Sequence, residues 1–217
     1  QLLPLGRSAQ LITQLFALTV SPATVLAWIG EASARLRPNV ERIAQALIDV
    51  PVAHADESGL RVASHLHWLH TVASDTLTWY GVHAKRGMLA IVAHGILPKR
   101  MATLVHDCWG PYWQLDCEHA LCNAHLLREL TFVQETTGQS WPKRMTALLT
   151  RAHQRCEAAR QDHRTALSAR QIRWIFTHYE AILLDAQARN PHTVRRHKRR
   201  GRVKQTPAFN LQRRLRE

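Results

Sequence analysis

Two short apolar runs, each closing on an aspartate, constrain this chain more than any other feature. They are Val50-Pro51-Val52-Ala53-His54-Ala55-Asp56 and Ala102-Thr103-Leu104-Val105-His106-Asp107. Small and β-branched apolar residues at this density read as buried strands. A carboxylate at the edge of such a strand is a natural holder of a divalent cation, because Mg²⁺ takes a few hard oxygen ligands and keeps its waters. Two such ions, about 3.5–4 Å apart, can activate a nucleophile and stabilise a leaving oxygen in phosphodiester chemistry. Asp56 and Asp107 are therefore the candidate catalytic and metal-ligating residues. On the residues alone, the competing reading of turn or cap aspartates stays open.

Around these runs the apolar period changes twice. Residues 8–37 read as two helices, with Leu11, Ile12, Leu15, Phe16 and Leu18 on the first and Val25, Leu26, Trp28 and Ile29 on the second. Ser21-Pro22 opens the second as N-cap and first-turn proline. This pattern resembles a helix-turn-helix. It equally suits two packed helices without DNA contact, and the second helix has few basic or amide side chains early on for base readout. A third short helix is expected over Val40–Asp49.

From residue 52 the texture is β. Ala53–Ala63, His65–Ala73 and Thr76–His83 read as a three-stranded meander. A helix is expected over Ala84–His94, stopped at Gly95, then a fourth strand over Met101–His106 and a fifth over Leu115–Leu121. Asn123–Glu135 is helical, with Leu126, Leu127, Leu130 and Val133 on one face. After Gly138 the pattern is helical over Trp141–Arg160 and Asp162–Arg189, the latter striped by Ile172, Ile175, Phe176, Tyr179, Ile182 and Leu183. The order βββ-α-β-α-β-α is that of a ribonuclease-H-like core.

Charge narrows the partner. Lys+Arg 29 against Asp+Glu 16 leaves a formal +13 over 217 residues, which points to a polyanion, nucleic acid first. No apolar run approaches the roughly 20 residues of a membrane span, and the start is not a signal peptide. Residues 195–216 hold ten Lys or Arg and no acid. Such a run reads as a solvated arm, or as a phosphate-neutralising surface that binds with little sequence preference. Arg195, Arg196, Lys198, Arg199, Arg200, Arg202 and Lys204 are its candidate DNA contacts. Lys85 and Arg86, opening the expected helix after the third strand, are two more. Four cysteines without an export signal suggest a reducing compartment. Cys122 and His125, with Cys117, His119, Cys108 and His106 nearby, raise zinc as one option and plain packing as another, since no second pair stands at a finger spacing. Trp68, Trp79 and Tyr80 read as packing residues, and His54, His67, His70, His83 and His106 as structural.

At this point several ordered motifs resemble one family. They are His54-Ala-Asp56-Glu57-Ser58-Gly59-Leu60; His67-Trp68-Leu69-His70; Tyr80-Gly81-Val82-His83-Ala84-Lys85-Arg86-Gly87; Leu104-Val105-His106-Asp107-Cys108-Trp109; Cys117 through Leu130; and Arg200 through Pro207. In this order they resemble the transposase of insertion sequences of the 66 type, over nearly the whole chain. The resemblance implies a bacterial DDE-type DNA transposase, α/β in class. A ribonuclease-H-like core (51–138) would follow a helical segment (1–50) and be interrupted by a basic all-helical insertion (139–217). It implies Asp56 and Asp107 as the first two catalytic acids on two Mg²⁺ ions, and Cys122 with His125 as support near the active site or facing DNA. Implied partners are transposon ends and target DNA, further copies of the chain on DNA, and helper proteins of the same element. The implied location is the bacterial cytoplasm, with no membrane.

The family's third acid lies in an Asn-Asn-x-x-Glu-Arg stretch after the insertion, and no such stretch occurs here. The resemblance therefore implies that the two-ion site is complete only in a longer protein. It leaves a non-catalytic, DNA-binding transposase remnant or regulator as the alternative. Glu57 neighbours Asp56 on a strand and so points to the opposite face. Glu129 is the better local acid, with a salt bridge as its plainer role.

Overall fold

The structure is a computed structural model that describes residues 3–194 and 203–216. It is a mixed α/β chain that divides into two compact units, 1–120 and 121–217. Among the described residues no helix is long and apolar enough to cross a membrane.

The first unit opens with α1 (Leu5–Phe16) and α2 (Pro22–Asp49). Ser21 caps α2 by accepting from the Thr24 N–H at 3.0 Å, and Pro22 occupies the first turn. The third short helix expected at Val40 does not stand apart: α2 runs unbroken through Pro38. Proline removes one N–H···O bond, but no glycine or capping residue ends the helix there. Only Ala9 and Val25 are buried in the α1 and early α2 pair, so the apolar stripes read from sequence stay largely exposed.

Five strands follow: β1 (Val52–Val62), β2 (His65–Ala73), β3 (Thr78–His83), β4 (Thr103–His106) and β5 (His119–Leu121), with α3 (Met88–His94) between β3 and β4. The sheet order is β3-β2-β1-β4-β5. β1 to β3 form the antiparallel meander, and β1 lies parallel to β4. Ala63 and Ser64, both at positive φ, turn β1 into β2. Two residues in that conformation match the right-handed strand twist. One sheet face is covered by Leu47 of α2, Ile91 of α3, Ile96, Leu97, Tyr112 and Leu115. Ala53, Ala55, Glu57, Val72, Leu104 and His106 are buried on it, while His54, Asp56, Ser58, Tyr80 and Val82 are exposed.

Gly81 shows how tight the covered face is. A Cβ there would lie 2.1 Å from the Trp79 ring and 2.8 Å from the His94 ring. Neither ring can retreat far, because each packs on the other at 5.0 Å. Gly81→Ala is expected to cost roughly 1–3 kcal/mol through overpacking, read as a lower urea midpoint at an unchanged slope.

The second unit holds α4 (Asn123–Thr137), α5 (Trp141–Gln161), α6 (Ala169–Arg189) and α7 (Pro207–Arg214). Their core is Leu126, Leu130, Val133, Trp141, Met145, Leu148, Ile182, Leu183, Ala186, Ala208, Leu211 and Leu215. Gly138 ends α4 at φ 66°, and a Ser168–Gln171 capping box starts α6. Of the stripe expected on α6, Ile182 and Leu183 are buried, whereas Ile172 and Phe176 are exposed. The end of the basic stretch is no solvated arm. Thr206 caps α7 through the Phe209 N–H, Pro207 fills its first turn, and Leu211 and Leu215 enter the core.

Candidate active site

The two aspartates are brought together by strand register. β1 and β4 pair in parallel with Val52 opposite Thr103, Ala53 opposite Leu104 and His54 opposite Val105. The offset is 51 throughout; extended two residues past the last pair, just beyond the end of β4 at His106, it puts Asp56 level with Asp107. Neighbouring strands lie about 4.8 Å apart, and residues level in a parallel pair face the same side. Buried Ala53, Ala55 and Glu57 fix the parity of β1, so Asp56 falls on the exposed side. Buried Leu104 and His106 do the same for β4. Main-chain N–H groups orient both carboxylates: Glu57 N–H donates to Asp56 Oδ1 and Trp109 N–H to Asp107 Oδ1, each at 2.9 Å.

Behind them lies a buried ionic network. The carboxylate of Glu57 (8 % exposed) accepts from Arg86 Nε and Nη2 at 2.6 Å and from the Tyr112 hydroxyl at 2.5 Å. The Arg86 guanidinium also stacks 4.9 Å from the Trp68 ring centroid and 4.2 Å from that of Trp109. A buried carboxylate this fully bonded is tolerated where a bare one would not be. Burial, the bond to Glu57, and the negative charges of Glu57, Asp107 and Asp56 all push the Tyr112 hydroxyl far above its ordinary pKa.

Arg86, expected at a DNA phosphate, is thus engaged by Glu57. The helix expected from Ala84 begins only at Met88, with Gly87 as its N-cap, so Lys85 and Arg86 lie in the preceding loop. Lys85 is exposed, and its carbonyl is contacted by the His83 and His70 rings. Sequence reasoning missed Tyr112 and Trp109 as partners. The signal was the aromatic cluster Trp109-Gly-Pro-Tyr112-Trp113 directly after Asp107.

Of the histidines read as structural, His70 and His106 are buried, whereas His54 is exposed. His106 is fully buried, with Nδ1 against the Asp107 carbonyl and Nε2 3.0 Å from His119 Nδ1. His94 touches the rings of His70, Trp79 and His83, and its buried Nε2 has no partner among the described residues. Burial, then the charges of His70 and His83, push His94 down to about 4 from 6.5. The folded state therefore binds fewer protons than the unfolded chain between these values. Stability is full above about 6.5 and is lost as pH falls towards about 4. Burial lowers His70 and His106 in the same sense. Urea midpoints should drop across this window, and His94→Phe should flatten the drop without abolishing it.

Cys122 is the N-cap residue of α4 and His125 lies in its first turn, both in the second unit. All four cysteines are free thiols. Among the described residues no group of three or more His, Cys, Asp or Glu side chains could hold a metal ion, so neither zinc nor a complete two-ion site is assembled there. Glu129 pairs with Arg214. Arg195, Arg196, Lys198, Arg199, Arg200 and Arg202 lie outside the described residues, and Lys204 is exposed. Asp56 and Asp107 suit Mg²⁺ by donor chemistry: two hard carboxylates, the exposed one on β1 and the half-buried one just after the adjacent β4.

Comparison with known proteins places these features. No curated protein matches the chain. A chain in the structure of the simian T-cell lymphotropic virus intasome in complex with the PP2A regulatory subunit B56 gamma is similar at 14% identity and a TM-score of 0.27. That match covers 42% of this chain and 44% of the other, so the chain spans less than half the length of the solved one. The sequence profile described as transposase IS66 family matches residues 1–214, and the chain belongs to that family of transposases.

Proposed function

We propose that this chain carries the first two acids of a DDE-type DNA strand-transfer site, Asp56 and Asp107, on a ribonuclease-H-like sheet. The observation that supports the reading is the parallel register of β1 and β4, whose extension by two residues brings Asp56 level with Asp107. Family membership supports transposition as the process and divalent metal as the cofactor. When bound, Mg²⁺ ions there would activate an attacking water or DNA 3′-hydroxyl and stabilise the leaving 3′-oxygen.

The chain's own residues do the positioning. Asp56 and Asp107 supply negative oxygens, each oriented by a neighbouring N–H. Glu57 does not share this task, because Arg86 and Tyr112 take up its oxygens on the other side of β1. Its part is to stiffen the strand that presents Asp56. A third acid is required for two ions, and none of the described residues joins the pair as part of such a group. Substrates are transposon-end and target DNA, attacked in line without a covalent protein intermediate.

The test is strand transfer by the complete gene product on transposon-end DNA. Joining should depend on Mg²⁺ and be lost on Asp107→Asn, with DNA binding retained. Joining that persists in Asp107→Asn would overturn the assignment.

A further inference from the structure

Seven arginines of the described residues are held by acids. Arg35 with Glu31, Arg86 with Glu57, Arg144 and Arg189 with Asp185, Arg160 with Glu157, Arg164 with Asp162, and Arg214 with Glu129 all form ion pairs. Arg151 and Arg155 on α5 differ. Among the described residues neither meets a carboxylate, and both guanidinium groups instead lie over the ring of Trp174 on α6, at 4.9 and 4.6 Å from its centroid. Like charges four apart on a helix repel and cost a few tenths of a kcal/mol. Here they are gathered on one indole.

Stacking leaves the guanidinium N–H edge unused. A cation held by an aromatic ring keeps its planar fork of donors, and that fork matches two oxygens of a phosphate. His178 completes the site. Its ring stacks on Trp174 at 4.1 Å, and its Nδ1 lies 2.8 Å from the Trp174 carbonyl, to which it donates. The other ring nitrogen is left without a partner among the described residues. Arg144, Leu148, Arg151, Trp174, His178 and Ile182 line a depression of about 340 Å³ between α5 and α6. Arg144, Arg151 and Arg155 are spaced by 7 and 4, so they share one face of α5.

We propose that Arg151 and Arg155, stacked on Trp174 beside His178, form a phosphate clamp that grips the backbone of duplex DNA on the helical unit. The inference rests on the transposase reading for the identity of the polyanion. The formal +13 of the chain favours DNA over an acidic peptide as its partner. Contacts to phosphate fix register and orientation and carry no base sequence, so the clamp holds DNA of any sequence.

The experiment is DNA binding by the complete gene product over a salt series, on transposon-end and unrelated duplexes. Arg151→Gln/Arg155→Gln should weaken binding about 10-fold at about 0.1 M salt on both. The slope of log K against log salt should flatten by about 2, one unit per lost phosphate contact. Arg151→Lys/Arg155→Lys keeps the charges but not the planar forks, so it should keep the slope while losing part of the affinity. Arg151 is exposed and Arg155 half-buried on α5, and an unchanged circular dichroism spectrum would show that the fold persists. Unchanged affinity and slope in the Gln pair would overturn the clamp. So would equal wild-type affinity for poly-glutamate and DNA, which would assign the site to acidic peptides. Strand transfer by the Asp107 variant reports separately: its loss beside an unaltered Gln pair sinks only the clamp, and its persistence beside a weakened Gln pair sinks only the catalytic reading.

Discussion

Asp56→Asn should lower Mg²⁺-dependent strand transfer by about 10³-fold or more while leaving DNA binding and folding intact. The substitution is isosteric and changes one thing, the negative charge on an oxygen pair oriented by the Glu57 N–H. A bound ion contributes several kcal/mol to stabilising charge on the reacting phosphate, and each 1.36 kcal/mol is tenfold in rate. Asp56 is exposed on the open sheet face, so a neutral amide there leaves no buried group unsatisfied. The control is its neighbour. Glu57→Gln leaves Arg86 and Tyr112 facing a neutral acceptor inside the network, so its first effect is lost stability, read as a lower urea midpoint. If Glu57→Gln abolished joining in a protein as stable as the wild type while Asp56→Asn remained active, the acids would have been assigned to the wrong face of β1.

The strands that carry the acids were legible because their apolar runs were short, dense and bounded by turn residues. Alternation alone put Glu57 on the face opposite Asp56, as the buried carboxylate now shows. The register that sets Asp56 level with Asp107 was not legible. Strand pairing is a long-range choice that local patterns do not encode, and here it follows from how the crossover through α3 returns the chain beside β1. Arg86 looked like a free cation because its partner stands 29 residues away on β1. Helix limits failed where a local rule met a tertiary one. The helix expected to end by residue 37 and the short one expected from Val40 are a single α2, and the charge of the last stretch masked the Thr206-Pro207 cap and the Leu211 and Leu215 spacing that bury α7. The Trp174 site was invisible for the same reason, since its arginines and its ring come from different helices.

Arg100→Met should destabilise the first unit by about 3–5 kcal/mol, a large part of what holds a domain folded. Arg100 is 1 % exposed and bonds no carboxylate. Its guanidinium donates to the Leu47 carbonyl, to Ile48 O at 3.1 Å, to Val50 O at 3.0 Å and to Thr103 O at 3.1 Å. The first three are carbonyls at the end of α2, where helical partners run out and the dipole favours a cation. Pro51 holds Val50 extended, so the chain leaves the helix there without a glycine cap. The fourth bond reaches the first residue of β4, which pairs with the first residue of β1. One side chain thus ties the end of α2 and the entry to β1 onto β4, and so holds the offset that brings Asp56 level with Asp107. Methionine keeps much of the stem's volume and removes every donor, leaving several carbonyls unsatisfied at about 1–3 kcal/mol each before relaxation. Lysine keeps the charge and three donors on a compact head, and should recover part of the loss. Urea unfolding followed by tryptophan fluorescence measures both variants, and a midpoint for Arg100→Met equivalent to within about 1 kcal/mol of wild type would show that water, not Arg100, satisfies the end of α2.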